Sequence, residues 1–275
     1  KERLTEIFKT ANEVSEKSNS DPLANIAGIN MEGPFISVKK KGAQNEDYIK
    51  NPDINMFNEL NESCGNMIKL VTLAPELDGS LDYIREVGDK VNISVGHSDA
   101  NYDCAAYAFM AGANHVTHIC NAMPPFNHRN PGIIGAACDN DKVYAEVICD
   151  GIHIHPSMIR TLFKLFGKDR LVFISDSMEA TGMPDGEYEL GGQKVFKKGN
   201  LATLKDGTLA GSVTNLFDCM KNAVSFGIPL GAAVKCATVN PAKSIGAFPN
   251  IGSLEVGSRA DILLLNPDFS IAKIY

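Results

Sequence analysis

The 275-residue sequence carries a formal net charge of -7 and 44% hydrophobic residues. That length suits one large domain, or a barrel with a small partner domain. The acidic balance argues against nucleic acid or an anionic membrane as a partner, and no apolar run reaches the ~18 residues of a membrane span. The seven cysteines form no CxxC pair and sit mostly in apolar context. They read as reduced core residues of a cytoplasmic protein rather than as a disulfide scaffold.

In chain order, Leu4, Ile7, Phe8, Ala11 and Val14 follow the spacing of an amphipathic helix, with no strand before it. Residues 24–31 then read as a buried strand. Further strands are expected at 67–73, 91–95, 113–119, 143–149 and 171–175. Helices fall between several of them. One covers 81–87, and a second, capped by Asp99 or Asn101, carries Ala105, Ala106, Phe109 and Met110. Pro156 fits the first turn of a third, with Met158, Ile159, Leu162, Phe163 and Phe166. Such alternation predicts an α/β fold, a parallel sheet with helices outside.

After Asp176 the texture changes. Glycine-rich alternation over 182–207 suggests one or two inserted hairpins. Helices resume from Ser212, with Leu216, Phe217, Met220 and Val224 on one face and Gly227 as the stop. The tail over 252–265 is β-rich and fits a small sheet outside the barrel. The expected organisation is a barrel over 1–248, with a hairpin insertion at about 183–208, and part of a small β-sandwich over 249–275.

Several apolar runs end in residues that carry chemistry. Glu32 closes the first, before Gly33-Pro34, where an uncompensated buried carboxylate would be costly. A salt bridge, a metal ion or a catalytic task would each compensate it. His97 follows Gly96, and His118 ends a run that also holds His115. Strand alternation points these last two histidines in different directions, so one of them faces a barrel interior. The turn Asn121-Ala122-Met123-Pro124 favours His118. One carboxylate and two imidazoles suit zinc or iron(II) and leave room for a water. Asp176, at the end of the last run, either caps a turn or takes a proton from such a water and returns it to a leaving group. His153 is placed to orient a substrate, whereas His155, beside Pro156, reads as a surface or capping residue.

These motifs resemble the N-acetylglucosamine-6-phosphate deacetylases of the metal-dependent amidohydrolase superfamily, over nearly the whole chain from Gly28 to Phe269. The segments that carry the resemblance are Met31-Glu32-Gly33-Pro34-Phe35 with Lys41-Gly42-Ala43, Gly96-His97-Ser98-Asp99-Ala100, and Thr117-His118-Ile119-Cys120-Asn121-Ala122-Met123-Pro124. Arg129-Asn130-Pro131-Gly132, Asp150-Gly151-Ile152-His153, Asp176 and Leu209-Ala210-Gly211-Ser212 follow in family order.

The resemblance implies a (β/α)8 TIM-type barrel, here without its first two strands. It implies a divalent metal, zinc or iron, one or two ions per subunit, held chiefly by Glu32, His97 and His118, with Asp176 as general base and acid. Ala43, Asn121, Ala122, His153, Leu209, Ala210 and Gly211 would contact an amino-sugar phosphate. Arg129 would reach the phosphate in the neighbouring subunit of a homodimer. The implied reaction is hydrolysis of the acetamide of N-acetylglucosamine 6-phosphate.

Two departures stand out. The family's His-x-His pair on the first barrel strand is not in this sequence, and Gln44 occupies a position where many members carry histidine. Glutamine still donates a hydrogen bond to a carbonyl or oxyanion but carries no charge. Rival readings are another amidohydrolase, such as a cyclic amidase or a deaminase, and an inactive sugar-phosphate-binding homologue. The former usually need the His-x-His pair and often a lysine after the fourth strand. Leu73-Ala74-Pro75-Glu76 offers no lysine there.

Overall fold

Six short apolar runs form parallel strands in the computed structural model, which describes residues 1–18 and 24–275. The strands are β1 (Ile29–Glu32), β2 (Ile68–Leu73), β3 (Asn92–Val95), β4 (His115–Val116), β5 (Tyr144–Ile148) and β6 (Leu171–Ile174). Their order in the sheet is their order in the chain. Sequential parallel strands separated by helices are the repeating pattern of a (β/α) barrel, present here in part. By Cα packing the chain forms two compact units.

The first unit covers residues 1–41, 46–117 and 122–137. It holds α1 (Glu2–Ser18), α2 (Ile54–Ser63), α3 (Ser80–Val87), α4 (Tyr102–Ala111), most of α5 (Gly132–Cys138) and strands β1 to β4. The strands align with Glu32 opposite Thr72, Thr72 opposite Ser94, and Ser94 opposite His115. β2 is buried along nearly its whole length, as an interior parallel strand covered on both faces should be. Tyr83 of α3 packs edge-on against Phe35 and Phe57, with ring centroids 5.3 and 6.2 Å apart. Asp53 caps α2 and Asn101 caps α4, each side chain accepting a backbone N–H of the first turn. Of the two cap candidates for α4, Asn101 is the cap. α1 is present, but of its apolar residues only Phe8 is buried, and Ile7 and Val14 stay exposed.

The second unit covers 42–45, 118–121 and 138–275. β5 and β6 pair in parallel, with Ile148 opposite Ile174. α6 (Pro156–Arg170) begins with Pro156 in its first turn and His155 as its N-cap, and Gly167, at φ 68°, breaks it near the end. β7 (Gly186–Leu190), β8 (Gln193–Lys198) and β9 (Leu201–Thr203) form an antiparallel three-stranded sheet at the expected insertion. α7 (Leu216–Ser225), α8 (Leu230–Ala237) and α9 (Val239–Ser244) follow, then the antiparallel pair β10 (Leu263–Leu265) and β11 (Ile271–Ile274). β10 and β11 lie within residues 249–275, for which we propose part of a small β-sandwich. Among the described residues no helix is long and apolar enough to cross a membrane.

Several expected boundaries move. The first strand starts at Ile29, not Ala24, and the strand expected over 113–119 shrinks to His115–Val116. The helix expected from Ser212 begins at Leu216, because Asn215 caps it by accepting the N–H of Asp218. In the tail only Leu263–Leu265 is strand, and Leu254 and Val256 are exposed.

Candidate active site

Glu32 is the last residue of β1, and the chain turns away from the strand at once through Gly33 (φ 85°). His97 follows β3 by two residues and has φ 48°. A side chain rarely adopts that backbone, and surrounding contacts hold it there. Its carbonyl accepts from Ser37 N at 2.9 Å. Beyond it, Glu76 grips the turn with both oxygens, accepting from Ser98 Oγ at 2.7 Å and from Asp99 N at 2.6 Å. His118 has φ 28° and opens a tight turn that also contains Cys120 at 78° and Ala122 at 49°. Asn121 Nδ2 closes this turn on the His118 carbonyl at 3.1 Å.

Glu32, His97 and His118 each present one ligand atom, and the three atoms lie within 4.8 Å of one another. Among the described residues this is the one such group of three or more. His97 and His118 are buried, and Glu32 is partly so. His97 Nε2 is 2.9 Å from Glu32 Oε1, and Nδ1 is 2.8 Å from the Lys40 carbonyl. That carbonyl can only accept, so Nδ1 holds a proton and Nε2 is the nitrogen that faces Glu32. An outer hydrogen bond of this kind is how metal-binding histidines are oriented. A carboxylate and two imidazoles suit a divalent cation that keeps a water.

His115 stands apart from this group. It is buried, bonds Asn114 Oδ1 through Nδ1 at 2.6 Å, and burial pushes its pKa down to about 4. Of the two histidines, His118 is the one placed beside Glu32 and His97. Burial raises Cys120 and Cys219 to about 11 and Cys236 to about 12, which keeps these three thiols protonated at neutral pH.

Near the ends of β2, β3 and β4 in the first unit lies a hydroxyl cluster that sequence reasoning missed. Thr117 Oγ1 is 2.8 Å from Thr72 Oγ1 and 2.6 Å from Ser94 Oγ, all buried. Gly96 leaves it room, because a Cβ at Gly96 would meet the Thr117 Cβ at 2.5 Å. Three hydroxyls at matched depth on neighbouring apolar strands were the available signal. Arg129 is exposed in the same unit and lines a cleft of about 340 Å³ with Asn101, Tyr102 and Pro131.

In the second unit, Asp176 lies two residues past β6 with φ 52°. Ser212 straps this corner. Its N–H donates to the Asp176 carbonyl at 2.7 Å, its hydroxyl donates to the Ser175 carbonyl, and its carbonyl accepts from Met178 N at 2.9 Å. Gly211 precedes it at φ 56°, where a Cβ would crowd the Asp176 carbonyl at 3.2 Å. Ala43 and Ala210 are buried in a small apolar cluster with Met178, Ala180, Val195 and Ala202. Gln193 of β8 donates to the Ala43 carbonyl, which anchors the segment bearing Gln44. Leu209 bridges to Thr203 beside β9. His153 is paired with Asp150, Nδ1 to Oδ2 at 2.7 Å. The resemblance gave Asp150 no role, although an Asp three residues before a His in a turn was a readable signal.

With this geometry in view, the comparisons with known proteins are consistent. The model of the amidohydrolase family matches residues 18–275. The chain belongs to the amidohydrolase family. Within it, this amidohydrolase is 41% identical over 250 residues to the N-acetylglucosamine-6-phosphate deacetylase of Bacillus subtilis (strain 168), covering 90% of this chain and 63% of that relative. It is 33% identical to the N-acetylgalactosamine-6-phosphate deacetylase of Escherichia coli O157:H7, covering 92% of this chain and 68% of that relative. The crystal structure of the Thermotoga maritima N-acetylglucosamine-6-phosphate deacetylase superposes with a TM-score of 0.91 at 31% identity, over 100% of this chain and 74% of that one. A mutant of the Mycobacterium smegmatis deacetylase, solved in complex with N-acetyl-D-glucosamine-6-phosphate, gives a TM-score of 0.91 at 32% identity, over 98% and 71%. The chain spans somewhat less than two thirds of the length of the Bacillus relative.

Proposed function

We propose that the protein hydrolyses the acetamide of N-acetylglucosamine 6-phosphate, releasing acetate and glucosamine 6-phosphate. The single observation that carries this reading is the convergence of Glu32, His97 and His118 within 4.8 Å, in a chain whose relatives bear that activity in their names. A divalent ion held by these three residues, zinc or iron(II), would polarise the amide carbonyl and lower the pKa of a water from ~15.7 toward ~7.

The chain's own side chains divide the remaining work. Asp176 takes the proton from the attacking water and delivers it to the amine as the C–N bond breaks. Gln44 donates an N–H to the carbonyl oxygen as negative charge grows there. His153 and Asn121 bind sugar hydroxyls, and the segments around Ala43, Ala122 and Leu209 to Gly211 shape the wall against the sugar phosphate. Arg129 pairs with phosphate, in a homodimer with that of the neighbouring subunit. A guanidinium suits this because it binds phosphate in a bidentate manner. A cytoplasmic location belongs to the same reading and is supported by seven cysteines, none of them in a disulfide.

The test is acetate release from N-acetylglucosamine 6-phosphate by metal-loaded protein, beside a hydantoin and adenine. Turnover confined to the amide sugar is expected. Ring opening of the hydantoin or ammonia from adenine would favour the rival amidohydrolase reading. A second substrate, N-acetylgalactosamine 6-phosphate, belongs in the panel because one relative is named for it. The two sugars differ in the orientation of one hydroxyl, so the ratio of kcat/KM reports on the wall that reads it.

A further inference from the structure

Asp150 and His153 lie in the turn after β5, and their side chains are only 6% and 8% exposed. Asp150 Oδ2 faces His153 Nδ1 at 2.7 Å. Its other oxygen, Oδ1, accepts the backbone N–H of Ile152 and that of His153, each at 2.9 Å. One carboxylate therefore fixes both the main-chain turn and the plane of the ring that the turn carries. Gly151 gives the turn its left-handed residue, and a Cβ there would press on Phe226 Cζ at 3.0 Å.

Burial alone would push the pKa of Asp150 up. The ring of His153 and the two N–H groups outweigh burial and hold the carboxyl below its ordinary range. An ionised carboxylate only accepts, so His153 Nδ1 donates to it. Among the described residues this is the hydrogen bond the ring makes, and Nε2 is the nitrogen left to meet a ligand.

We infer that Asp150 is a positioning residue for the sugar site: it holds His153 in the Nδ1–H form, so that Nε2 accepts a hydrogen bond from a hydroxyl of the amino-sugar phosphate. The inference rests on the reading above, in which His153 contacts the sugar. It goes further in assigning the ring's tautomer and the direction of that hydrogen bond to a second residue.

The substitution Asp150→Asn separates this role from support of the turn. The amide oxygen keeps the two backbone bonds, but its NH2 then faces Nδ1 and donates to it. The proton moves to Nε2, and the acceptor becomes a donor. With the full metal-loaded chain, D150N is expected to raise KM for N-acetylglucosamine 6-phosphate at least tenfold and to change kcat less than about threefold. In a His153→Ala background the same substitution should add nothing, since the two act as one unit. Nitrogen-15 NMR of the imidazoles should place the proton on Nδ1 of His153 in the wild type and on Nε2 in D150N. A KM within twofold of wild type, or a wild-type ring protonated on Nε2 alone, overturns the inference. The wild-type NMR measurement decides it even if D150N does not fold. Wild-type protein that releases no acetate from this sugar would remove the functional reading instead, and the NMR assignment would still decide whether Asp150 sets the tautomer.

Discussion

Glu32 Oε1 sits 2.9 Å from a nitrogen of His97 whose partner nitrogen is committed to the Lys40 carbonyl at 2.8 Å. The facing oxygen and nitrogen are placed to share one cation. Titration calorimetry of the metal-stripped protein with zinc should show stoichiometric binding in the wild type and at least tenfold weaker binding in His97→Ala. Unchanged zinc affinity in H97A would contradict a ligand role for His97.

Removing a ligand and removing the acid–base group should have opposite signatures. His118→Ala should lose stoichiometric metal by elemental analysis, because a carboxylate and one imidazole leave too few protein ligands for a tight site. Asp176→Asn should retain the metal and lower kcat by about 10² to 10⁴, the usual contribution of a positioned proton carrier. Full metal occupancy in H118A, or near-normal turnover in D176N, would reverse the respective assignment.

Gly96 marks a place where the backbone must come close to Thr117. A methyl group there would meet the Thr117 Cβ at 2.5 Å, Thr117 Oγ1 at 2.8 Å and Thr72 Cγ2 at 3.0 Å. These are buried, hydrogen-bonded side chains with little room to retreat. Gly96→Ala should lower stability by about 1–3 kcal/mol through overpacking, read as a shifted denaturant midpoint. Because His97 is the next residue, weaker metal binding should accompany the loss. An unchanged midpoint would mean that the hydroxyl cluster yields more easily than its contacts suggest.

His115 gives the protein a defined acid sensitivity. Burial holds its pKa near 4, against an ordinary 6.5. Below pH 6.5 the unfolded chain takes up a proton that the folded chain refuses until about pH 4. Stability is therefore complete above pH 6.5, declines as the pH falls, and loses at most about 3 kcal/mol from this group by pH 4. His115→Gln should flatten that part of the profile, measured as urea midpoints at pH 7, 5.5 and 4. A variant as acid-sensitive as the parent would place the effect elsewhere.

The strand ends, with Glu32, His97 and His118 beside them, were legible because burial on both faces writes itself into continuous apolar runs, as in β2 and β6. The boundaries were less so. Thr117 N still bonds the Val95 carbonyl at 3.1 Å, yet His118 then turns left-handed, and β4 ends three residues earlier than its composition suggests. Nothing in a local pattern announces a left-handed histidine, since tertiary contacts force it. The partners of the site residues were hidden for a related reason. Thr72 and Thr117 are 45 residues apart, and Gln193 reaches a carbonyl 150 residues away. Asp150 was within reach of local reading, because its partner is three residues on.

The knot of small apolar side chains around Val195 and Ala202 fastens the stretches bearing Ala43 and Ala210 to the hairpin sheet. Both residues are almost wholly out of solvent. Under the proposed reading, preference among acetylated sugars would shift through changes at these buried positions, with Asp176 and the Glu32–His97–His118 group left as they are. Libraries aimed at altered sugar selectivity would do well to begin there.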